Sequence, residues 1–227
     1  MLQRILHTDA KALSSLKRII AGGAPLSPNL AKETQKALGS VLYNLYGTSE
    51  AGFCILSTPQ DQQIAPDSIG KGVQGVKLQI LDLQDKPLSI GKVGQIAVQS
   101  SWSINKKQWI KTGDMGYLNK DGLVFLCGRI DDMIISGGEN VYPIELENIL
   151  VQHLEIELAA VIGVADTEFG QRLKAFVVKV EHSSLDSASL LTWLKARVAR
   201  YQMPVAIEFR SELPLTHLDK VDKKKLS

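Results

Sequence analysis

The sequence predicts a mixed fold of class α/β plus α+β. A partial α/β layer and a small β-subdomain belong to a large domain, and a hinge and a compact α+β C-terminal domain follow. Strand, helix and strand alternate over residues 18–47, short strands with turn signals follow from about residue 68, and strands and helices alternate again after Arg129. The boundary is expected near Ile130–Asp132. The predicted domains are therefore 1–130, with the β-subdomain at 68–130, and 131–227.

The α/β layer is predicted from the first strand–helix–strand unit. The apolar runs RIIAGG at 18–23 and VLYNLYG at 41–47 are typical of short buried strands. Between them, Ser27 and Pro28 form an N-cap followed by proline at the first helical position, and Gly39 indicates the helix end. This order favours a parallel pair of strands.

The β-subdomain is predicted from three short apolar runs, VKLQILD at 76–82, GQIAVQS at 94–100 and GLVFLCG at 122–128. Turn signals such as Asp121-Gly122 separate them, which favours a mostly antiparallel arrangement. In the segment QSSWSINKKQWIK at 99–111, Trp102 and Trp109 would simply cover the β-subdomain, and no role is assigned to this segment.

The C-terminal domain is predicted from strands and helices that alternate after the boundary. A helix is expected to begin at Pro143 and to continue to about His153. Leu190, Leu194 and Val198 recur every fourth residue, which indicates the apolar stripe of a second helix. Strands are expected at 132–136, 159–164 and 174–180, and a glycine turn at 137–138 is expected to connect the first strand to the first helix.

The composition is that of an ordinary globular protein, with 44% hydrophobic and 22% charged residues and a net charge of +2. This charge offers no electrostatic argument for a nucleic-acid or acidic-membrane partner. No apolar run reaches the roughly 20 residues of a membrane-spanning helix, and no signal peptide is recognisable, so a cytoplasmic location is expected. Cys54 and Cys127 lack metal-ligand spacing and are expected to be reduced structural residues, while Lys223, Lys224 and Lys225 are expected to form a solvated tail.

The segment TGDMGYLNKDGLVFLCGRIDDMIISGGENVYPIELE at 112–147 resembles the hinge region of the adenylate-forming ligase superfamily, which includes acyl-CoA synthetases. YGTSE at 46–50 and PLTHLDKVDKKKL at 214–226 match two further motifs of that superfamily in the same order. The resemblance covers essentially the whole chain. It implies an AMP-forming ligase that uses ATP, magnesium, CoA and a small-molecule carboxylic acid.

The resemblance also implies a nucleotide site. Within it, Tyr46 would lie beside adenine, Asp114 would accept hydrogen bonds from the ribose hydroxyls, and Glu50 would hold Mg²⁺. For these motifs the alternatives are an ordinary turn at the end of a strand for YGTSE, a turn aspartate for Asp114 and a surface ion pair for Arg129. The nucleotide-binding residues implied in this way are Gly22, Gly23, Ala24, Asn44, Tyr46, Gly47, Thr48, Ser49, Asp114 and Arg129.

Four residues are implied for catalysis and domain movement. Lys220 would be the catalytic lysine that reaches the reacting carboxylate and phosphate oxygens, although Asp219 stands where the superfamily usually has glycine. Asp131 matches the hinge, and Gly137 and Gly138 match the turn that faces the thiol channel. The alternatives are one lysine among several in a basic tail for Lys220, a solvated loop aspartate for Asp131, and an ordinary tight turn for Gly137 and Gly138.

One motif of the superfamily is missing. A hydroxyl- and glycine-rich phosphate loop ending in lysine normally precedes YGTSE, but the 45 residues before Tyr46 contain none, since GGAPLS at 22–27 lacks the lysine. The chain is therefore expected to be inactive alone, with a separate N-terminal half as a possible partner. A non-catalytic nucleotide-binding module, half of a split ligase and an adenylation domain serving a carrier protein remain alternatives, and the acid is not identified.

Overall fold

The chain forms two compact units, Met1–Cys127 and Gly128–Ser227. The computed structural model describes residues 2–6, 13, 15–103, 108–216 and 221–226. Sheets predominate and helices are few, so the predicted mixture of α/β and α+β structure is confirmed. No helix in the described part of the chain is long and apolar enough to cross a membrane.

The first unit is built around an eight-stranded sheet with the strand order β1-β2-β3-β4-β8-β7-β6-β5. The β1–β2 pair is parallel, as predicted, and Gly22 lies opposite Leu45. The elements of this unit are α1 Leu2–Leu6, β1 Ile19–Gly22, α2 Pro28–Leu38, β2 Leu42–Thr48, β3 Gly52–Ser57, α3 Pro59–Ile64, β4 Ser68–Gly72, β5 Val76–Leu81, β6 Gly94–Ser100, β7 Ile110–Leu118 and β8 Val124–Arg129, whose last two residues are the first two of the second unit.

Helix α2 has the ends that its sequence predicts. The Ser27 hydroxyl accepts a hydrogen bond from the Leu30 N–H at 3.3 Å, and Pro28 occupies the first turn. At the other end the Gly39 N–H donates to the Gln35 carbonyl at 2.9 Å with a φ of +80°, a conformation that glycine adopts without strain. Local sequence signals therefore account for this helix.

The strands of the expected β-subdomain continue the same sheet instead of forming a separate one. Strand β4 pairs with β3 on one side and with β8 on the other. It was not predicted, because SIGKG has no apolar alternation. A Cβ on Gly70 would lie 2.0 Å from the Leu56 carbonyl oxygen, so this close approach of the two strands requires glycine.

The sheet curves so that one of its faces encloses the core of the first unit. Ser100, in β6, donates from its hydroxyl to the Ala51 carbonyl beside β3 at 3.2 Å. Three other strands lie between β3 and β6 in the strand order, so only a strongly curved sheet allows this contact. The buried residues of this core are Ala51, Cys54, Ile55, Ile80, Ile96, Val98 and Val124.

The second unit has a five-stranded sheet with β10-β9-β12-β11 in order and β13 paired in parallel with β12. Helices α4 and α5 contribute Leu146, Leu150, Leu190 and Leu194 to its core, all at most 1% exposed. Its elements are β9 Ile134–Ser136, β10 Glu139–Val141, α4 Pro143–Leu150, β11 Ile156–Asp166, β12 Gly170–Lys179, α5 Ser187–Lys195 and β13 Ala206–Arg210.

Three details of this unit differ from the predictions. Helix α4 ends at Leu150, because the Gln152 and His153 N–H groups bond three residues back and tighten the chain into a turn. Helix α5 ends at Lys195, although Val198 still packs against the core. The glycine turn joins the strands β9 and β10 and not a strand and a helix.

The lysine-rich C-terminal segment is partly anchored. Lys223 pairs with Glu147 at 2.6 Å, and the same Glu147 oxygen accepts from the Val161 N–H at 2.7 Å. Leu226 is 5% exposed and packs in a cluster that includes Leu213. The prediction that Lys223 belongs to a solvated tail is therefore wrong.

Candidate nucleotide-binding site

The parallel strands β1 and β2 bring two of the predicted segments together. The carboxyl ends of parallel neighbours lie at the same edge of a sheet, which is where ligands bind in open α/β sheets. Gly22 ends β1 opposite Leu45, so GGA at 22–24 and YGTSE at 46–50 follow neighbouring strand positions. A Cβ on Gly22 would lie 3.0 Å from the Leu45 carbonyl oxygen, so a small residue suits this position.

Asp114 joins this edge from the far side of the curved sheet. The Tyr46 phenol donates a hydrogen bond to Asp114 Oδ2 at 2.5 Å, although the two residues are 68 positions apart. Asp114 lies within β7, so the alternative of a turn aspartate is wrong. A carboxylate with one oxygen engaged in this way keeps lone pairs that can accept from two hydroxyl groups.

Burial and the hydrogen bond to Asp114 raise the pKa of Tyr46 well above its usual value. The phenol therefore remains a proton donor throughout the physiological range, and the Asp114 carboxylate is the acceptor. Burial also raises the pKa of the Cys54 thiol to about 11, so this thiol stays protonated at neutral pH. A buried, protonated thiol agrees with the structural role expected for it.

Thr112 supports Asp114 and was not identified from the sequence as a site residue. Its buried hydroxyl donates to the Ile96 carbonyl at 3.1 Å and accepts from the Asp114 N–H at 3.2 Å. The available signal was its position directly before Gly113 and Asp114 in the TGD motif. A threonine at this place connects the main chain of Asp114 to the neighbouring strand β6.

The YGTSE segment ends β2 and enters a turn, as its alternative interpretation proposed. Its first part is closely packed, since a Cβ on Gly47 would lie 2.3 Å from the Gly52 carbonyl oxygen. The Thr48 hydroxyl accepts from the Ala51 N–H at 3.2 Å. Ser49 and Glu50 are exposed in the turn that follows, whereas Asn44, earlier in β2, is 8% exposed.

An exposed carboxylate at Glu50 fits a magnesium ion that arrives with a nucleotide. Mg²⁺ is commonly held by one or two carboxylates together with substrate phosphates and water. Within the described ranges no group of three or more His, Cys, Asp or Glu side chains is placed to hold a metal ion.

The remaining predicted residues belong to the second unit. Arg129 is exposed and lies 3.5 Å from the Asp131 carboxylate, which is the surface ion pair proposed as its alternative. Asp131 itself lies in the 3₁₀ turn Ile130–Asp132. Gly137 and Gly138 form the β9–β10 turn with φ of +59° and +88°. Lys220 lies outside the described residues.

Comparison with known proteins agrees with these motifs. Residues 1–105 match the family model described as AMP-binding enzyme, and residues 145–220 match the model described as AMP-binding enzyme C-terminal domain. Indoleacetate–CoA ligase of Aromatoleum aromaticum is 35% identical over 93% of this chain and 44% of that protein. Fatty acid–[acyl-carrier-protein] ligase ScoC of Streptomyces coeruleorubidus is 30% identical over 96% of this chain and 45% of that protein.

A solved structure shows the same fold. The crystal structure of ATP-bound MatB from Rhodopseudomonas palustris superposes with a TM-score of 0.89 at 28% identity, covering 99% of this chain and 48% of that one. The chain thus spans less than half the length of these relatives.

Proposed function

Because the chain belongs to the AMP-binding enzyme family of adenylate-forming acid ligases, we propose that it is a portion of an acid–thiol ligase that forms AMP. The observation that carries the proposal is the Tyr46–Asp114 contact, which holds a carboxylate beside the ends of two parallel strands. Such a carboxylate suits the ribose of ATP or of an acyl-adenylate, since it accepts hydrogen bonds from both hydroxyls.

The proposed reaction has two halves. A carboxylate oxygen of the acid attacks the α-phosphorus of ATP, the bond to the β-phosphate oxygen breaks, and pyrophosphate leaves. The sulfur of CoA then attacks the acyl carbon, the bond to AMP breaks, and the thiol proton is released. The first half brings two anions together, so it requires cations that neutralise their charge.

In this proposal, the first unit holds the nucleotide. Gly22, Gly23, Ala24, Asn44 and Tyr46 line the adenosine. Gly47, Thr48 and Ser49 face the phosphate, and Glu50 binds the magnesium ion of the substrate. Arg129, the last residue of β8, makes a further contact with the nucleotide.

In this proposal, the second unit is the part of the molecule that moves between the two half-reactions. Residues 131–227 form a small mobile domain that rotates about Asp131, and its Lys220 meets the reacting carboxylate and phosphate during adenylation. Gly137 and Gly138 then face the thiol channel during transfer, where the absence of side chains leaves room for the thiol arm.

A second acceptor is supported by one of the relatives. ScoC is named as a ligase of fatty acids to acyl-carrier protein, whereas the indoleacetate relative is named as a CoA ligase. We propose CoA as the acceptor, and the thiol of a carrier protein is the second candidate. Thioester formation from a supplied acyl-adenylate with each thiol in turn distinguishes them.

The site is tested by calorimetric titration of the chain with AMP. We expect the Asp114→Asn variant to lose at least about tenfold in affinity, because hydrogen bonds to a charged group contribute roughly 1.5–3 kcal/mol. The matched control is Asp121→Asn, at an exposed turn of the same unit. Unchanged AMP affinity in Asp114→Asn would show that the site is assigned wrongly.

Activity of the chain alone is tested by pyrophosphate release with magnesium, ATP and a mixture of carboxylic acids. We expect little or no turnover, because the sequence before YGTSE carries no glycine- and hydroxyl-rich motif ending in lysine that would grip the β- and γ-phosphates. Sustained turnover would contradict this part of the proposal while supporting the ligase chemistry.

A further inference from the structure

The segment Ser100–Ser103, to which the sequence assigned no role, lies against the turn that carries Ser49 and Glu50. It begins at Ser100, the last residue of β6, and reaches this turn because the sheet curves. We call residues 48–52 the phosphate turn, because our proposed function places a nucleotide phosphate there. The contacts between the segment and this turn come from Ser100 and Trp102.

The side chain of Ser100 binds the main chain of the phosphate turn. The hydroxyl is buried, donates to the Ala51 carbonyl at 3.2 Å and accepts from the Ser103 N–H at 3.1 Å. The N–H group of Ala51 is bonded as well, since it donates to the Thr48 hydroxyl at 3.2 Å. Both polar groups of Ala51 are thus engaged, which leaves the turn little freedom to change conformation.

Trp102 covers the end of the turn. A Cβ on Gly52 would lie 3.1 Å from both Cδ1 and Nε1 of the indole, and a Cβ on Gly75 would lie 3.2 Å from its Cζ3. The ring therefore packs against both glycines, and the φ of +70° at Gly52 favours glycine independently. The indole is nevertheless 46% exposed, so it packs on the turn and not within the core.

We propose that Ser100 and Trp102 are positioning residues of the nucleotide site, which hold the phosphate turn in the conformation that presents Ser49 and Glu50 to a bound phosphate. The inference rests on the proposed function, since it assumes that a nucleotide binds at this edge. Ser49 and Glu50 are exposed, so their backbone would otherwise lose conformational freedom on binding. A turn that is ordered beforehand avoids this cost.

This arrangement predicts that a change at Trp102 affects the binding of the phosphate and the binding of the nucleoside differently. Tyr46 and Asp114 hold the nucleoside, and their hydrogen bond does not involve Trp102. The phosphate turn, by contrast, contacts only the phosphate of the ligand in this proposal. Loss of Trp102 should therefore weaken binding of AMP while leaving binding of adenosine nearly unchanged, whereas a general loss of structure would weaken both.

The test is calorimetric titration of the 227-residue chain with AMP and with adenosine. We expect Trp102→Ala to bind AMP about tenfold more weakly, equivalent to about 1.4 kcal/mol, and adenosine within about twofold of the unsubstituted chain. Trp102→Phe, which keeps an aromatic ring on the two glycines, should bind AMP within about twofold of the unsubstituted chain. The control is Trp109→Ala, which removes another half-exposed tryptophan from the first unit.

Ser100→Ala provides an independent variant if Trp102→Ala fails to fold, as judged by circular dichroism. This variant removes one hydroxyl group, and it should also weaken the binding of AMP without weakening the binding of adenosine. Equal losses for both ligands, or unchanged AMP binding in both variants, would overturn the positioning role and leave the proposed function intact. Absence of AMP binding by the unsubstituted chain would contradict the proposed function, and the inference with it.

Discussion

At the scale of single residues, the hydrogen bond from Tyr46 to Asp114 has the clearest chemical consequence. It fixes the direction of the Asp114 carboxylate, and the Thr112 hydroxyl in the same strand accepts from the Asp114 main-chain N–H. Because burial raises the pKa of the phenol, the donor does not ionise near neutral pH. The carboxylate is thereby oriented before any ligand arrives, which is how binding sites limit the entropy lost on association.

The Tyr46→Phe variant tests this orientation. We expect AMP affinity to fall roughly threefold to tenfold, because holding a side chain that is free to rotate costs about 0.5–1.5 kcal/mol on binding. Calorimetric titration measures the change. Tyr43→Phe, which removes a phenol from the same strand, is the control, and equal affinities of Tyr46→Phe and the unsubstituted chain would exclude the orienting role.

At the scale of secondary-structure elements, α4 is joined to the 3₁₀ turn Arg200–Gln202 by one polar contact. The Gln202 amide donates to the Glu145 carboxylate at 2.7 Å. Partial burial raises the pKa of Glu145 above its ordinary value of 4.5, and the hydrogen bond from Gln202 opposes this effect. The folded protein therefore favours the protonated form of this side chain relative to the unfolded chain.

A pH dependence of stability follows with a defined sign. A raised pKa in the folded state contributes stability that is complete below pH 4.5 and is lost as the pH rises through the folded-state value. Glu145→Gln removes this titrating group. The difference in unfolding free energy between this variant and the unsubstituted chain, measured with urea, should therefore favour the variant more at pH 7 than at pH 4. Glu157→Gln, on an exposed part of β11, should show no such trend. Parallel pH profiles for Glu145→Gln and the unsubstituted chain would contradict the prediction.

At the scale of the whole molecule, each unit has its own core. The core of the second unit consists of residues from 134 onward. Its C-terminal segment is held by Leu226 and by the Lys223–Glu147 ion pair, whose side chains are 30% and 16% exposed. A unit with a closed core and an anchored end has what independent folding requires.

We therefore expect a polypeptide of residues 128–227 to fold alone. Its thermal midpoint, measured by circular dichroism, should lie within about 5 °C of one of two transitions of the full chain, since a change of about 1 kcal/mol shifts a domain of this size by roughly that amount. An unfolded fragment would refute this expectation. A single transition of the full chain that coincides for tryptophan fluorescence and circular dichroism would also count against it.

By itself, the sequence determined the features that depend on neighbouring residues. Ser27, Pro28 and Gly39 specify α2, and the apolar run around Leu42 specifies β2, because caps and strand periodicity act over a few positions. The order of the motifs from YGTSE to the lysine-rich end was sufficient to indicate the family, which the comparisons confirm.

Only the tertiary structure decided which distant residues meet. The pairing of Tyr46 with Asp114, the support from Thr112, and the packing of Ser100 and Trp102 on the phosphate turn depend on the curvature of the sheet. Curvature is the sum of small twists over eight strands, so no local pattern encodes it. Strand β4 escaped prediction for a related reason, since Gly70 serves a contact with Leu56 in another strand and leaves no alternation in its own sequence.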